Sequence, residues 1–259
     1  TCALGTGRDE QIVDGLMPEY AKKFYLHYNF PPFCVGEARR IMGPGRREIG
    51  HGALAERSLL AIIPDVEDFP YTVRLVSDIT ESNGSSSMAS VCGGCMAMMD
   101  AGVPIKATCA GISVGRFSNA DGKIVRVMDI IGEEDFFGDM DFKVCGTRTG
   151  ITGIQLDLKA RGLWFDEIKE TFEQARIGRI EIIEQMEATL AEPRAELSEY
   201  APRIIQVMID PEKIGKLIGP GGKMIRGIQE RTGATIEVDD DGTVTIASTD
   251  GKAGDAAKA

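Results

Sequence analysis

Four stretches carry the side chains that could do chemistry. Thr80-Glu-Ser-Asn-Gly-Ser-Ser-Ser87 sets three consecutive hydroxyls after an Asn-Gly turn, at the start of a segment with helical periodicity. The free N–H groups and positive dipole of a helix start form an anion cradle suited to phosphate. One serine there would merely cap the helix; three in a row bring the ligand reading level with that one. Gly132-Glu-Glu-Asp-Phe-Phe-Gly138 runs into Asp139-Met-Asp-Phe-Lys-Val144. On a strand, Asp139, Asp141 and Lys143 share one face, and Met140, Phe142 and Val144 the other. With Asp135 folding in from a glycine-bounded loop, these carboxylates suit a hard divalent cation. The alternative is a solvated acidic hairpin, but the alternation would leave like charges beside the core without a counter-ion.

Arg46-Arg-Glu-Ile-Gly-His51 offers guanidinium groups for bidentate phosphate contacts, beside one of only two histidines. A lone histidine is more often structural, so taken alone His51 is a weak candidate. Gly219-Pro-Gly-Gly222, with Lys216, Lys223 and Arg226 around it, is a GxxG loop. Such a loop lets a nucleic-acid backbone approach closely while flanking bases supply charge.

Cys92-Gly-Gly-Cys95 has the spacing of a metal or redox pair. It falls inside a helical run of core residues and reads as packing, as do Met17, Met42, Met128 and Met208. The six cysteines lack the density of a disulfide scaffold, so free thiols are expected.

The elements that must position these groups can be read from periodicity. Strands are predicted over 71–80, 105–114, 123–131 and 150–159, with Asp121-Gly122 as a hairpin turn. Helices are predicted from the serines to about Ala101 and from about Asp166 to Thr189. That is an α/β (α+β) domain with a mixed sheet. A polar, proline-bearing linker at 191–202 separates 1–190 from 203–259. In the second part a strand, a short helix, the GxxG loop, a helix and two strands give the order βααββ.

The chain of 259 residues is 43% hydrophobic and 27% charged, enough to fold around a core. Its longest apolar run, Leu59 to Ile63, is far too short to span a bilayer, and no leader is visible at its start. The net charge of −11 is uneven. Six acids and no base lie between Asp129 and Asp141, whereas six bases against three acids lie between Arg203 and Arg231. A dense acidic cluster flanked by basic stretches fits metal-assisted chemistry on a polyanion.

Taken together, Phe30-Pro-Pro-Phe33, Arg46-Arg-Glu-Ile-Gly-His-Gly52, Phe69-Pro-Tyr-Thr-Val-Arg74, Glu81-Ser-Asn-Gly-Ser-Ser-Ser-Met-Ala-Ser90, Asp100-Ala-Gly-Val-Pro-Ile105 and Gly138-Asp-Met-Asp-Phe-Lys143 closely resemble the bacterial polynucleotide phosphorylase family. Residues 1–190 resemble its second ribonuclease PH-like domain, and residues 203–259 a C-terminally truncated K homology (KH) RNA-binding domain. The resemblance implies a phosphorolytic 3′→5′ exoribonuclease that releases nucleoside diphosphates from single-stranded RNA, reversible as 3′-end polymerisation, in mRNA degradation. It further implies Asp135, Asp141 and Lys143 as catalytic, with Asp135 and Asp141 holding Mg²⁺ or Mn²⁺ and Asp139 beside them. Ser85, Ser86 and Ser87 would bind phosphate. Arg46, Arg47, His51, Gly219, Gly221, Gly222 and Lys223 would bind RNA. A homotrimer, a cytoplasmic location and no membrane partner follow from the same likeness.

Phe136 departs from the resemblance, since many members have a histidine after the acid. The family's first ribonuclease PH-like domain, helical domain and OB-type domain have no counterpart here, so a fragment is expected. Two other readings remain open: a non-catalytic RNA-binding ring subunit, and a stand-alone ribonuclease PH that trims transfer RNA. The intact acids, lysine and serines oppose the first, and the KH-like segment opposes the second.

Overall fold

The structure, a computed structural model, describes residues 1–16, 18–198, 200–248 and 251–259. In chain order the elements are β1 (Cys2–Gly5), β2 (Gln11–Val13), β3 (Tyr20–Lys22), β4 (Phe24–Asn29), α1 (Arg46–Leu60), β5 (Thr72–Asp78), α2 (Ser86–Asp100), β6 (Ala110–Ser118) and β7 (Ile124–Met128). There follow α3 (Gly132–Phe137), β8 (Met140–Gly146), β9 (Ile151–Leu158), α4 (Phe165–Thr189), β10 (Arg203–Met208), α5 (Ile214–Ile218), α6 (Lys223–Thr232), β11 (Thr235–Val238), β12 (Thr243–Ser248) and α7 (Gly251–Lys258). These form two compact units. One contains residues 1–2, 25–64 and 75–195, and the other 3–24, 65–74 and 196–259.

The first unit is built on an antiparallel sheet of order β7-β6-β8-β9. Alternation along the strands gives it two unlike faces. Ile112, Val114, Met140, Phe142 and Val144 pack with Ala175 of α4, joined by Phe172 and Ile182. The opposite face meets α2 and α1: the Cys145 thiol lies 3.5 Å from the Met88 sulfur, and Gly153 abuts Ser58. Leu54, Leu59, Val91, Cys95 and Met98 are fully buried there. Three layers result, α4 on one side of the sheet and α1 with α2 on the other.

An ion-pair network ties α4 to this sheet. Arg116 of β6 donates to Glu167 of α4 and to Asp139, each at 2.8 Å, and Ser118 also donates to Asp139. Asp139 is therefore spent on structure, although sequence alternation groups it with Asp141 and Lys143.

The second unit contains the antiparallel sheet β10-β12-β11, whose Ile236, Val244 and Ile246 pack with Ala234 and the flanking helices. Between α5 and α6, Gly219, Gly221 and Gly222 have φ of +70°, +60° and +76°, a region open to glycine and strained for other residues. Arg226 donates to the Gly221 carbonyl and braces the loop. Helix α7 adds one element to the predicted βααββ order.

Several expectations need correction. The strand predicted from 105 begins only at Ala110, because its first residues turn their N–H groups elsewhere: Lys106 to the Ile62 carbonyl, Cys109 to the Cys95 sulfur. The loop expected to carry Asp135 is the short helix α3, whose start is closed by Glu134 accepting from the Ile131 N–H. Met42 and Met208 are exposed rather than core filler, whereas Met128, 41% exposed, sets its sulfur beside Gly178 of α4; Met17 lies outside the described residues. Cys92 and Cys95 do serve packing: both are free thiols, and burial pushes Cys95 up to about 12. Among the described residues, no helix is long and apolar enough to cross a membrane.

Removing one member of a buried charge network strands the others. Arg116→Ala is expected to destabilise the chain by about 3 kcal/mol in urea unfolding, since it leaves Glu167 buried without its cation. A loss below ~1 kcal/mol would show the network to be solvated.

Candidate active site

The first unit holds a cleft of about 1510 Å³. Helix and strand ends converge there for simple geometric reasons. Strand β8 presents Asp141 and Lys143 on the face covered by α1 and α2, beyond the reach of their apolar stretches. The N-termini of both helices line the cleft, α1 bringing Gly45, Arg46, Arg47 and His51, and α2 bringing Ser85 and Ser86. Helix α3 adds Asp135.

Asp141 and Lys143 are 7% and 4% exposed and form a direct ion pair. The second carboxylate oxygen of Asp141, Oδ1, is buried with no hydrogen-bond partner. Burial raises the Asp141 pKa, against the lowering pull of Lys143; Asp135 and Asp157 push in the same direction as burial. Asp135 itself accepts from Arg47 at 3.1 Å.

The serine cradle is held under strain. Gly84 has φ of +104°, and a Cβ there would fall on the Ile130 carbonyl oxygen and lie 3.0 Å from the Ile131 Cα. Ser85, at the helix cap, has φ of +45°, uncommon outside glycine. The Ser85 and Ser87 hydroxyl oxygens are buried without a partner, while Ser86 Oγ lies 2.6 Å from the Tyr28 hydroxyl. Unsatisfied hydroxyls at a helix start are what an oxyanion would use.

Tyr28 also touches His51, edge to face with ring centroids 5.9 Å apart. Burial, then Lys143 and Arg47, lower the His51 pKa from 6.5 to about 4, so its ring is neutral near pH 7. His51 is thus a hydrogen-bonding group at neutral pH rather than a cation.

The structure brings Arg46, Arg47, His51, Ser85, Ser86, Asp135, Asp141 and Lys143 to one cleft, with Ser87 buried one position further along α2. It leaves Asp139 in the α4 network. Gly219, Gly221, Gly222 and Lys223 lie in the other unit. Strand β9 contributes a row that sequence reading missed. Gln155 pairs in register with Lys143 and Asp157 with Asp141, and both line the cleft with Lys159. Gln155-Leu-Asp-Leu-Lys159 alternates polar and apolar as the β8 segment does, the one signal that could have found it.

Among the described residues, no three His, Cys, Asp or Glu side chains are grouped as a metal cage. Mg²⁺, however, commonly binds through one or two carboxylates, with water and substrate phosphates completing its shell. An orphaned buried carboxylate oxygen on Asp141, with the Asp135 carboxylate nearby, fits that mode.

Residues 4–104 match the 3′ exoribonuclease family, domain 1, and residues 204–259 match the KH domain. The chain is 61% identical over 248 residues to a polyribonucleotide nucleotidyltransferase of Rhodopirellula baltica, covering 96% of this chain and 33% of that protein. It is 56% identical over 253 residues to that of Sorangium cellulosum, covering 98% and 33%. It is 57% identical over 250 residues to that of a Roseiflexus species, covering 96% and 34%. The chain therefore spans about a third of the length of these curated relatives. Rice Rrp46 shares the fold, with a TM-score of 0.53 at 15% identity, over 73% of this chain and 80% of that one. The fold is ribonuclease PH-like with a KH domain, α/β in class.

A depressed histidine pKa means that the unfolded chain takes up a proton before the folded one does. His51 thus supports the fold fully above about pH 6.5, and that support is lost as pH falls toward 4. Imidazole NMR signals of His51 are expected to titrate with a midpoint near 4; a midpoint at 6.5 or above would show the ring to be solvated.

Proposed function

We propose that this chain, similar over nearly its whole length to a third of a polyribonucleotide nucleotidyltransferase, carries that enzyme's phosphorolytic site. The reaction is 3′→5′ degradation of single-stranded RNA by inorganic phosphate, which releases nucleoside diphosphates and reverses as 3′-end polymerisation. The observation that carries this reading is the junction, in one cleft, of an unsatisfied serine cradle, two arginines at a second helix start and the buried Asp141–Lys143 pair.

Attack of phosphate on a phosphodiester crowds several negative charges, so positioning and neutralisation must lower the barrier. Ser85, Ser86 and Ser87, with the α2 dipole, hold the attacking phosphate. Arg46 and Arg47 grip the RNA backbone, and neutral His51 donates or accepts hydrogen bonds beside them. A new bond forms from the phosphate oxygen to the 3′-terminal phosphorus, and the bond from that phosphorus to the preceding O3′ breaks. Lys143 stabilises that departing oxygen and hands it a proton. Asp135 and Asp141 would hold the divalent cation, Mg²⁺ or Mn²⁺, whose Lewis acidity eases charge on the transferring group. The Gly219–Gly222 loop and Lys223 hold RNA in a KH domain at 203–259, joined to the catalytic domain at 1–190 by the linker at 191–202. The same likeness supports a homotrimer acting on mRNA in the cytoplasm.

Labelled single-stranded RNA incubated with Mg²⁺ is expected to yield nucleoside diphosphates only when phosphate is added. Monophosphate release would mark a hydrolase instead, and binding without cleavage a non-catalytic RNA-binding subunit. Asp141→Ala is expected to lower phosphorolysis by at least about 10²–10³-fold with RNA binding retained. Asp141→Asn, which keeps the shape beside Lys143, should fall likewise; full activity in either would refute the assignment.

A further inference from the structure

Helix α3 ends in two phenyl rings that meet edge to face, with centroids 5.0 Å apart. Phe136 is 74% exposed and Phe137 76%, although both directly follow Asp135. Single exposed hydrophobic residues are common, but paired rings at the rim of a charged cleft ask for an occupant. Of the two, Phe136 lines the cleft, in company with exposed Phe33, Ile41 and Met42.

The backbone beneath Phe136 is not loose. Lys159 donates from its ammonium group to the Asp135 carbonyl and, at 3.2 Å, to the Phe136 carbonyl. Arg47 holds the Asp135 carboxylate, and Asn83 accepts from the Gly132 N–H at 3.2 Å. A solvent-facing ring on a backbone fixed at both ends is placed in advance of its ligand, so ordering costs little on binding. A nucleotide matches this mixture. Its phosphate suits the arginines and serines, and its base presents a flat π-face that a phenyl ring can stack upon.

We propose that Phe136 is the stacking platform for the base of the RNA nucleotide whose phosphate reacts, making it a determinant of 3′-end recognition. The proposal rests on the functional reading above and adds to it the contact that senses a base rather than a backbone. Stacking of this kind tolerates every base, so it secures the end of the strand without reading its sequence.

The test uses the full chain and a short RNA that ends in 2-aminopurine, whose fluorescence falls on stacking. Binding is expected to quench the wild-type complex, and Phe136→Ala to remove the quench and weaken binding about tenfold. Phe136→Tyr should keep both. Phe137→Ala, altering the ring outside the cleft, should leave the quench in place. An RNA lacking its terminal base should bind wild type about tenfold more weakly than the intact strand, yet bind Phe136→Ala no more weakly. Quenching and affinity unchanged in Phe136→Ala would overturn the stacking role alone, because RNA binding would persist. Failure of the wild-type chain to bind RNA would instead overturn the functional reading on which the proposal stands.

Discussion

A lysine and an aspartate buried side by side on β8 set the terms for the first unit. Removing charges from water costs several kcal/mol per ion, and mutual attraction seldom recovers all of it. The fold offsets the remainder by architecture. Two helices start at the same cleft, and their positive ends favour the negative charge there. The sheet face behind the pair is closed by α4, which keeps water from one side. Asp141 retains one unsatisfied oxygen, so the arrangement stays incomplete as protein alone. A core optimised only for stability would replace the pair with apolar residues of similar size.

The same low-polarity setting explains the state of the neighbouring groups. His51 is kept neutral by burial and by two cations, even though Asp135 pulls the other way. Asp141 is harder to ionise than a free carboxylate because burial outweighs Lys143. These groups respond to one another across the cleft, and a bound polyanion with its counter-ion would restore what the protein leaves unbalanced. The Tyr28 ring between His51 and Ser86 connects the two helix starts physically.

Much of this was legible in the sequence wherever side-chain period and local turn chemistry agree. The alternation from Met140 to Val144 announced β8, Asn83-Gly84 announced the turn, and Lys223 to Thr232 emerged as a helix without adjustment. Helix α1 is hard to read from sequence, because Gly50 and Gly52 weaken the helical pattern of its first half and its N-cap is a glycine. Asp139 misled for a different reason. Alternation assigns a face, but Asp139 lies one residue before β8, and its tertiary partners, Arg116 and Ser118 of β6, decide where its carboxylate turns. Asp157 and Lys159 stayed hidden because an alternating edge strand is the commonest of patterns, and nothing local says what lies across the ladder. The exposed Met42 shows the converse limit: hydrophobic type does not report burial when a residue lines an open cleft.

The turn at Gly84 rests directly on the chain at Ile130 and Ile131, just where α3 begins, and Asn83 is bonded to the first residue of that helix. With no side chain at position 84 to act as a cushion, the serine-bearing and acid-bearing segments are geared together like meshed teeth. Neither can shift without turning the other, so an inhibitor wedged under one would put the opposite wall out of alignment from a distance.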